Sequence, residues 1–423
     1  MTRLIHCRSC GSSSLHLILD LGLQPLANAL VEPSNVGQPE DKFPLEVIFC
    51  ESCSLVQVSE TIPPEVLFGR DYPYFSSFLP ELLEHSRHHA LALLQTYALG
   101  RDSLVVEVAS NDGYLLKNFL AAGVPVLGID PAQGPAQAAR DIGVETLQAF
   151  FGADTANQLV AEGKRADVML ANNVLAHVEN INAFVAGFAI LLADDGVAEF
   201  EFPYLRDLID AGAFDTIYHE HVFYYSLRAL DPLFERHGLH LNDVQRIGIH
   251  GGSLRLTVGR KPGKTSRLEA MMREEAELGM STLQYYKGFG QRVAELRDEL
   301  RGLLHGLVAK GERVAAYGAA AKGATLLNFA GIDGDVIDYV VDRNPHKVGR
   351  YMPGLRIPVR PVEALATDRP DYLLILAWNF GAEIMTQQCS FAEAGGKFIL
   401  PIPRAVIVNG PAPQDPRKPV TSV

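Results

Sequence analysis

Hydrophobic positions along the chain follow two periods. Apolar residues recurring every three or four positions predict helices, and short runs of Val, Ile and Leu bounded by small or polar residues predict buried strands. The helical period is plain from about Pro80 to Leu99. Beyond it the two patterns alternate. "SLVVEVASNDGYLLKNFLAAG" reads as strand, turn and helix, "VPVLGID" as a second strand, and "ADVMLANNVLAHV" and "GVAEFEFPYL" as two more. Such alternation predicts a doubly wound α/β layer that holds its ligands at the carboxyl ends of the strands.

A long polar helix is expected from about Leu283 to Lys310, followed by a second α/β unit. "RVAAYGAAAKGATLLNFAG" repeats the strand, small-residue turn and helix; "VIDYVVDRNP" is a strand ending in an acid, and "DYLLILAW" and "KFILPIP" supply further strands. The N-terminal segment differs: "LDLGLQPLANAL" and "PLEVIFC" read as a loop and a returning strand. The resulting boundaries are 1–75, 76–280 and 281–408, with residues 409–423, rich in proline and polar residues, as a loose tail.

Composition narrows the function classes. At 423 residues, 48% apolar and 21% charged, the chain has the balance of a globular enzyme and is too long for one ordinary core. A net charge of −13 without a basic tract argues against DNA or RNA as partner, because phosphate neutralisation needs clustered Lys and Arg. The start, "MTRLIHCRSC", has no apolar core of a signal peptide, and no run of about 18 apolar residues offers a membrane span. A cytoplasmic monomer is expected.

Four of the five cysteines form two C-x-x-C pairs, Cys7 with Cys10 and Cys50 with Cys53. Two such knuckles present four thiolates tetrahedrally, the donor set of structural zinc. A site closed by four thiolates leaves the metal no open position, so no catalytic role is expected of it.

In "VVEVASNDGYLL", Glu107 ends the first strand and Gly113 opens the helix, and the small residues between them let backbone approach a ligand. Asp130 ends the second strand, where an acid can take both ribose hydroxyls. Nicotinamide dinucleotide and S-adenosylmethionine both fit this far, but the G-x-G-x-x-G cradle for a pyrophosphate is missing. The spacing resembles the E-x-G-x-G-x-G signature of class I S-adenosylmethionine methyltransferases, with Ala109 and Asn111 at two of its glycine positions. "NNVLAHVEN" looks like the loop after the fourth strand of that fold, where Asn172 would approach the methionine part. Phe151 of "AFF" offers a wall for adenine or, equally, packs into the core.

Taken in order, the paired knuckles, "YPYFSS", "EVASNDGYLL", "IYHEHVFYYS", "HGGSLR" and "YGAAAKG" closely resemble the sugar C-methyltransferases that act on nucleotide-linked deoxysugars in antibiotic and surface-polysaccharide pathways. The resemblance spans essentially the whole chain. It implies an α/β protein with an N-terminal zinc-binding domain, a central class I methyltransferase domain of Rossmann-like fold, and a C-terminal second Rossmann-like domain that helps hold the nucleotide sugar. It also implies that Tyr218, Glu220 and His221 line the reaction centre, that the histidine is the base, and that Tyr72 of "YPYFSS" lies over the same site. Some relatives carry an acid where this chain has His219, which leaves the role of that residue open.

The chemistry is coherent without the resemblance. Carbon is a poor nucleophile toward a methyl sulfonium unless a neighbouring ketone lets it become an enolate, so a base and an oxyanion donor must flank it. Histidine titrates near neutrality and suits the first task; a tyrosine hydroxyl suits the second. Glu220 would orient an imidazole or the substrate. A metal at "HEH" is disfavoured, because two histidines two residues apart diverge in an extended segment and no third ligand is evident.

For the nucleotide half, Lys322 after "YGAAA" would meet a pyrophosphate at a helix N-terminus or be solvated, with Tyr317 in the same turn and Asp342 at thymidine or ribose. His250 and Arg255 flank the Gly-Gly of "IHGGSLR", either a close backbone approach to substrate or a structural turn. The expected reaction is methyl transfer from S-adenosylmethionine to C3 of a TDP-linked 4-keto-6-deoxyhexose, with C5 as the nearest variant. An epimerase using the same histidine would leave Glu107 and Asp130 unused, and a zinc-domain scaffold would leave the His–Tyr cluster unused.

Overall fold

The computed structural model describes residues 4–67, 75–78, 80–248 and 252–410 and contains three sheets. The first is antiparallel, in the order Leu15–Pro25, Lys42–Cys50, Val56–Val58 and Phe223–Tyr224. The sequence reading of a loop before "PLEVIFC" is corrected here: Leu15–Pro25 is an eleven-residue strand. Leucines at 15, 17, 19, 21 and 23 supply the period of two that a strand needs. Register shifts between Leu17 and Leu19 and between Asp20 and Leu23 turn the strand, so Leu19 and Leu21 are buried while Leu17 and Leu23 face out.

The second sheet has seven strands in the order His240–Ile247, Ser253–Gly259, Leu192–Pro203, Ala166–Asn172, Val105–Val108, Val126–Ile129 and Thr146–Leu147. Ser253–Gly259 runs antiparallel to both its neighbours, whereas the last five are mutually parallel. The order reverses at Val105–Val108, which places a crevice at its carboxyl end. One face is filled by Phe188, its ring tilted against Phe200 with centroids 4.7 Å apart, and Phe200 is in turn 5.1 Å from Phe234. Each of these rings is fully buried, worth about 1.5–3 kcal/mol relative to exposure.

The third sheet orders Val359–Pro361, Val340–Asp342, Val314–Tyr317, Tyr372–Ile375, Lys397–Leu400 and Val406–Val408, parallel except for the last. The helix expected to run unbroken before it is two helices, Leu283–Tyr286 and Phe289–Val308. Gly288, at φ 82°, breaks the first off, a conformation that other residues seldom hold. The longer helix packs against Leu15–Pro25 of the first sheet.

One crossing matters for function. Phe223–Tyr224 belongs by sequence to the central unit yet forms the edge of the first sheet. Residues 214–226 are thereby caught between units. Among the described residues, no helix is long and apolar enough to cross a membrane.

Candidate functional site

The four sulfurs of Cys7, Cys10, Cys50 and Cys53 lie within 4.8 Å of one another, with Cys7–Cys53 and Cys10–Cys50 each at 3.6 Å. Tetrahedral zinc with bonds of about 2.3 Å needs sulfurs about 3.8 Å apart, so the donor set fits the ion. The hydrogen bond between Cys7 and Cys53 lowers the pKa of the Cys7 thiol and raises its partner's. Gln57 donates to Cys7 Sγ at 3.2 Å and accepts from the Arg8 backbone and guanidinium, an outer shell that orients the ligand.

At the crevice of the second sheet, the residues aligned with the signature glycines adopt the conformations glycine favours. Ala109, Asn111 and Gly113 have φ of 57°, 49° and 76°. Non-glycine residues in this region are uncommon and mark backbone held for a purpose. Asp130 accepts from Asn111 N through Oδ2 and from Ala132 N through Oδ1, both at 2.9 Å, so it fixes the turn while each oxygen keeps a lone pair for a hydroxyl. Glu107 is buried, and within the described residues neither carboxylate oxygen has a partner; burial and the neighbouring Asp130 hold its pKa well above the usual carboxylate range. Ser110 Oγ and Asn172 Oδ1 are likewise buried without a partner there. Buried polar groups are normally satisfied, so this row along the strand ends fits a polar ligand such as S-adenosylmethionine. Segment 75–78 lies over it: Ser76 N donates to Asn111 Oδ1 at 2.9 Å and Ser77 N to Asp112 Oδ2 at 3.1 Å. Phe151 packs edge-on against Phe184 and Phe188, at 5.7 and 5.3 Å.

Two of the reaction-centre candidates, Tyr218 and His221, are in contact. His221 Nδ1 lies 2.7 Å from the Thr216 carbonyl, which can only accept, so Nδ1 carries the proton and Nε2 presents its lone pair. Tyr218 Oη is 2.8 Å from Nε2. The segment is a turn, not the extended segment expected from sequence: His221 N bonds Tyr218 O at 2.8 Å. The two histidines nevertheless diverge, since His219 Nε2 donates to Pro44 O at 3.2 Å in the first sheet and is driven below its ordinary pKa by burial.

Sequence reasoning missed two neighbours. His177 stands edge-on to His221, ring centroids 4.7 Å apart, and burial pushes it down to about 4, so it is neutral at pH 7. It sits within "NNVLAHVEN", a segment read only for Asn172. Asn28, from "LANAL", donates to Glu220 Oε1 at 2.7 Å. Burial raises Glu220 to about 7, and the Asn28 bond opposes that rise by favouring the ionised form. No sequence signal links positions so far apart.

Removing the Asn28 amide should therefore raise the Glu220 pKa further. The part-buried, charge-assisted bond is worth about 1.5–3 kcal/mol, so Asn28→Ala should cost about tenfold or more in turnover at neutral pH if Glu220 works ionised. The acid limb of its pH–rate profile should move to higher pH. Coincident profiles for variant and parent would take Asn28 out of the site.

The other candidates make different contacts. Arg255 donates to buried Glu201 through Nε at 2.7 Å and contacts His85, in the network that seats helix Pro80–Thr96 on the second sheet. Asp342 accepts from Ala319 N and Asn344 N, both at 2.8 Å, beside a cavity of about 700 Å³ that it lines with Arg343, Glu363 and Gln388. Tyr317 ends the adjacent strand, its hydroxyl buried without a partner among the described residues. Lys322, in the first turn of helix Ala321–Ala330, donates to Asn379 Oδ1 at 3.1 Å. Tyr72 and His250 fall outside the described residues.

Comparison with known proteins adds three family matches: residues 7–68 to a zinc binding domain, 77–244 to a methyltransferase domain and 248–403 to a C-methyltransferase C-terminal domain. The chain is 36% identical over 408 residues to C-methyltransferase NovU of Streptomyces niveus, covering 95% of this chain and 96% of that one. Among solved structures, magnesium protoporphyrin IX methyltransferase of Synechocystis PCC 6803 with bound SAH is 16% identical over 42% of this chain and 83% of its own, with a TM-score of 0.34. An S-adenosylmethionine-dependent methyltransferase of Clostridium acetobutylicum is 10% identical over 43% of this chain and 92% of its own, with a TM-score of 0.33.

Proposed function

The chain belongs to the C-methyltransferases that carry an N-terminal zinc-binding domain, and from that premise we propose that it methylates C3 of a TDP-linked 4-keto-6-deoxyhexose through an enolate. Its cofactors are S-adenosylmethionine in the central unit and zinc on the four cysteines. When bound, S-adenosylmethionine supplies an electrophilic methyl group. The chain's own residues must make the carbon nucleophilic.

The observation that carries the reading is the Thr216–His221–Tyr218 array. The Thr216 carbonyl selects the tautomer whose Nε2 can take the proton beside the ketone, and it stabilises the imidazolium that results. As substrate enters, the Tyr218 hydroxyl turns its hydrogen from Nε2 to the ketone oxygen, where a placed donor lowers the barrier to the enolate, and the Nε2 lone pair so released takes the proton from carbon. Neutral His177 at the ring edge adds no competing charge. The nucleotide half falls to the C-terminal unit, with Lys322 at the diphosphate, and the enzyme acts in the cytoplasm.

Incubation with S-adenosylmethionine and TDP-4-keto-6-deoxyglucose tests this. NMR of the product should place a new methyl on C3, with the 4-ketone retained. A methyl on C5 would move the assignment to the other flank of the ketone. Epimerisation without methyl transfer would make the protein an epimerase.

A further inference from the structure

We propose that Asp215 and Trp378 are positioning residues through which the C-terminal unit holds the His221 turn, and that an anionic nucleotide beside Lys322 acts on the turn through them. The inference rests on His221 being the base. Asp215 opens the stretch that ends in the histidines and is fully buried, yet the chemistry above gives it no task. It lies in the short turn Phe214–Thr216, next to the carbonyl that fixes the His221 tautomer.

Two grips on that turn come from the C-terminal unit. The Trp378 indole N–H donates to Asp215 Oδ2 at 2.7 Å, and Phe214 packs edge-on against Phe329 with centroids 5.3 Å apart. A third group ties them to the expected diphosphate position: Lys322 Nζ lies 4.3 Å from the centre of the Trp378 ring. Burial raises Asp215 and lowers Lys322, and each opposes the other's shift, so the two charges interact through the space around one indole. A diphosphate at Lys322 would compete with Asp215 for that cation. The indole N–H then becomes the main restraint that the C-terminal unit places on Asp215, and through it on Thr216.

Trp378→Phe keeps a ring beneath Lys322 and deletes only the donor. Exchange of solvent deuterium into the carbon beside the ketone should fall about tenfold in this variant, the worth of one hydrogen bond to a buried charge. Affinity for thymidine diphosphate should stay close to that of the parent. Asp215→Asn keeps an acceptor for the indole and should retain most of the exchange, a rescue that simple loss of stability would not give. Trp378 is the chain's single tryptophan, so its emission reports directly on the link. Thymidine diphosphate should change that emission in the parent and not in Lys322→Met. Unchanged exchange in Trp378→Phe, or equal losses in both variants, would overturn the positioning role, and unchanged emission at saturating thymidine diphosphate would overturn the nucleotide link. No exchange in the unaltered protein would overturn the enolate reading itself.

Discussion

His221→Asn is expected to keep the fold and both ligand affinities and to lower turnover by about 10²-fold or more, the usual worth of a placed base. The asparagine amide reaches the position of the imidazole Nδ1, so the bond to the Thr216 carbonyl can be kept while the Nε2 lone pair is lost. Tyr218 loses its acceptor in the same step. The expected signature is a fall in kcat with little change in KM, since a base acts only as the proton leaves. His219→Asn should do less to turnover, because that side chain faces the Pro44 carbonyl rather than the His221 array. Matched kinetics and thermal melting of the two variants check both statements.

Cys50→Ser should be the most destabilising single change. Cys50 is fully buried and ends the strand Lys42–Cys50, so losing one thiolate opens the zinc site at its root. Structural zinc contributes about 10–16 kcal/mol in isolated zinc peptides, comparable to the whole stability of an ordinary domain. The damage should not stay local. Val56–Val58 pairs with Lys42–Cys50 on one side and with Phe223–Tyr224 on the other, and Val58 N bonds the carbonyl of Val222, next to His221. Activity should therefore fall together with zinc content. Metal analysis of the parent purified without chelators should give one zinc per chain, and an unchanged melting temperature in Cys50→Ser would refute the structural role.

How far the sequence reveals this site depends on the range of the signal. Strands such as Val105–Val108 and Val126–Ile129 are legible because buried parallel strands are short, apolar and bounded by small residues. Cys7, Cys10, Cys50 and Cys53 are legible because ligand chemistry restricts their spacing. Local rules fail where pairing is distant. Leu15–Pro25 carries a period of two, yet the glycine and proline within and at its end read as loop, and its partner strand begins well downstream. The donation of Asn28 to Glu220 and of Trp378 to Asp215 joins residues 192 and 163 positions apart, and nothing local marks them. The tautomer of His221 is set by a backbone carbonyl, which has no sequence signature at all.

Deuterium exchange separates the base step from methyl transfer. The protein is held in deuterated buffer with the 4-keto sugar nucleotide and S-adenosylhomocysteine in place of the methyl donor, and the carbon beside the ketone is followed by NMR. Deuterium should enter that position in the parent and fail to enter in His221→Asn. Exchange retained in the variant would contradict the account and pass the role of base to Glu220 or Tyr72.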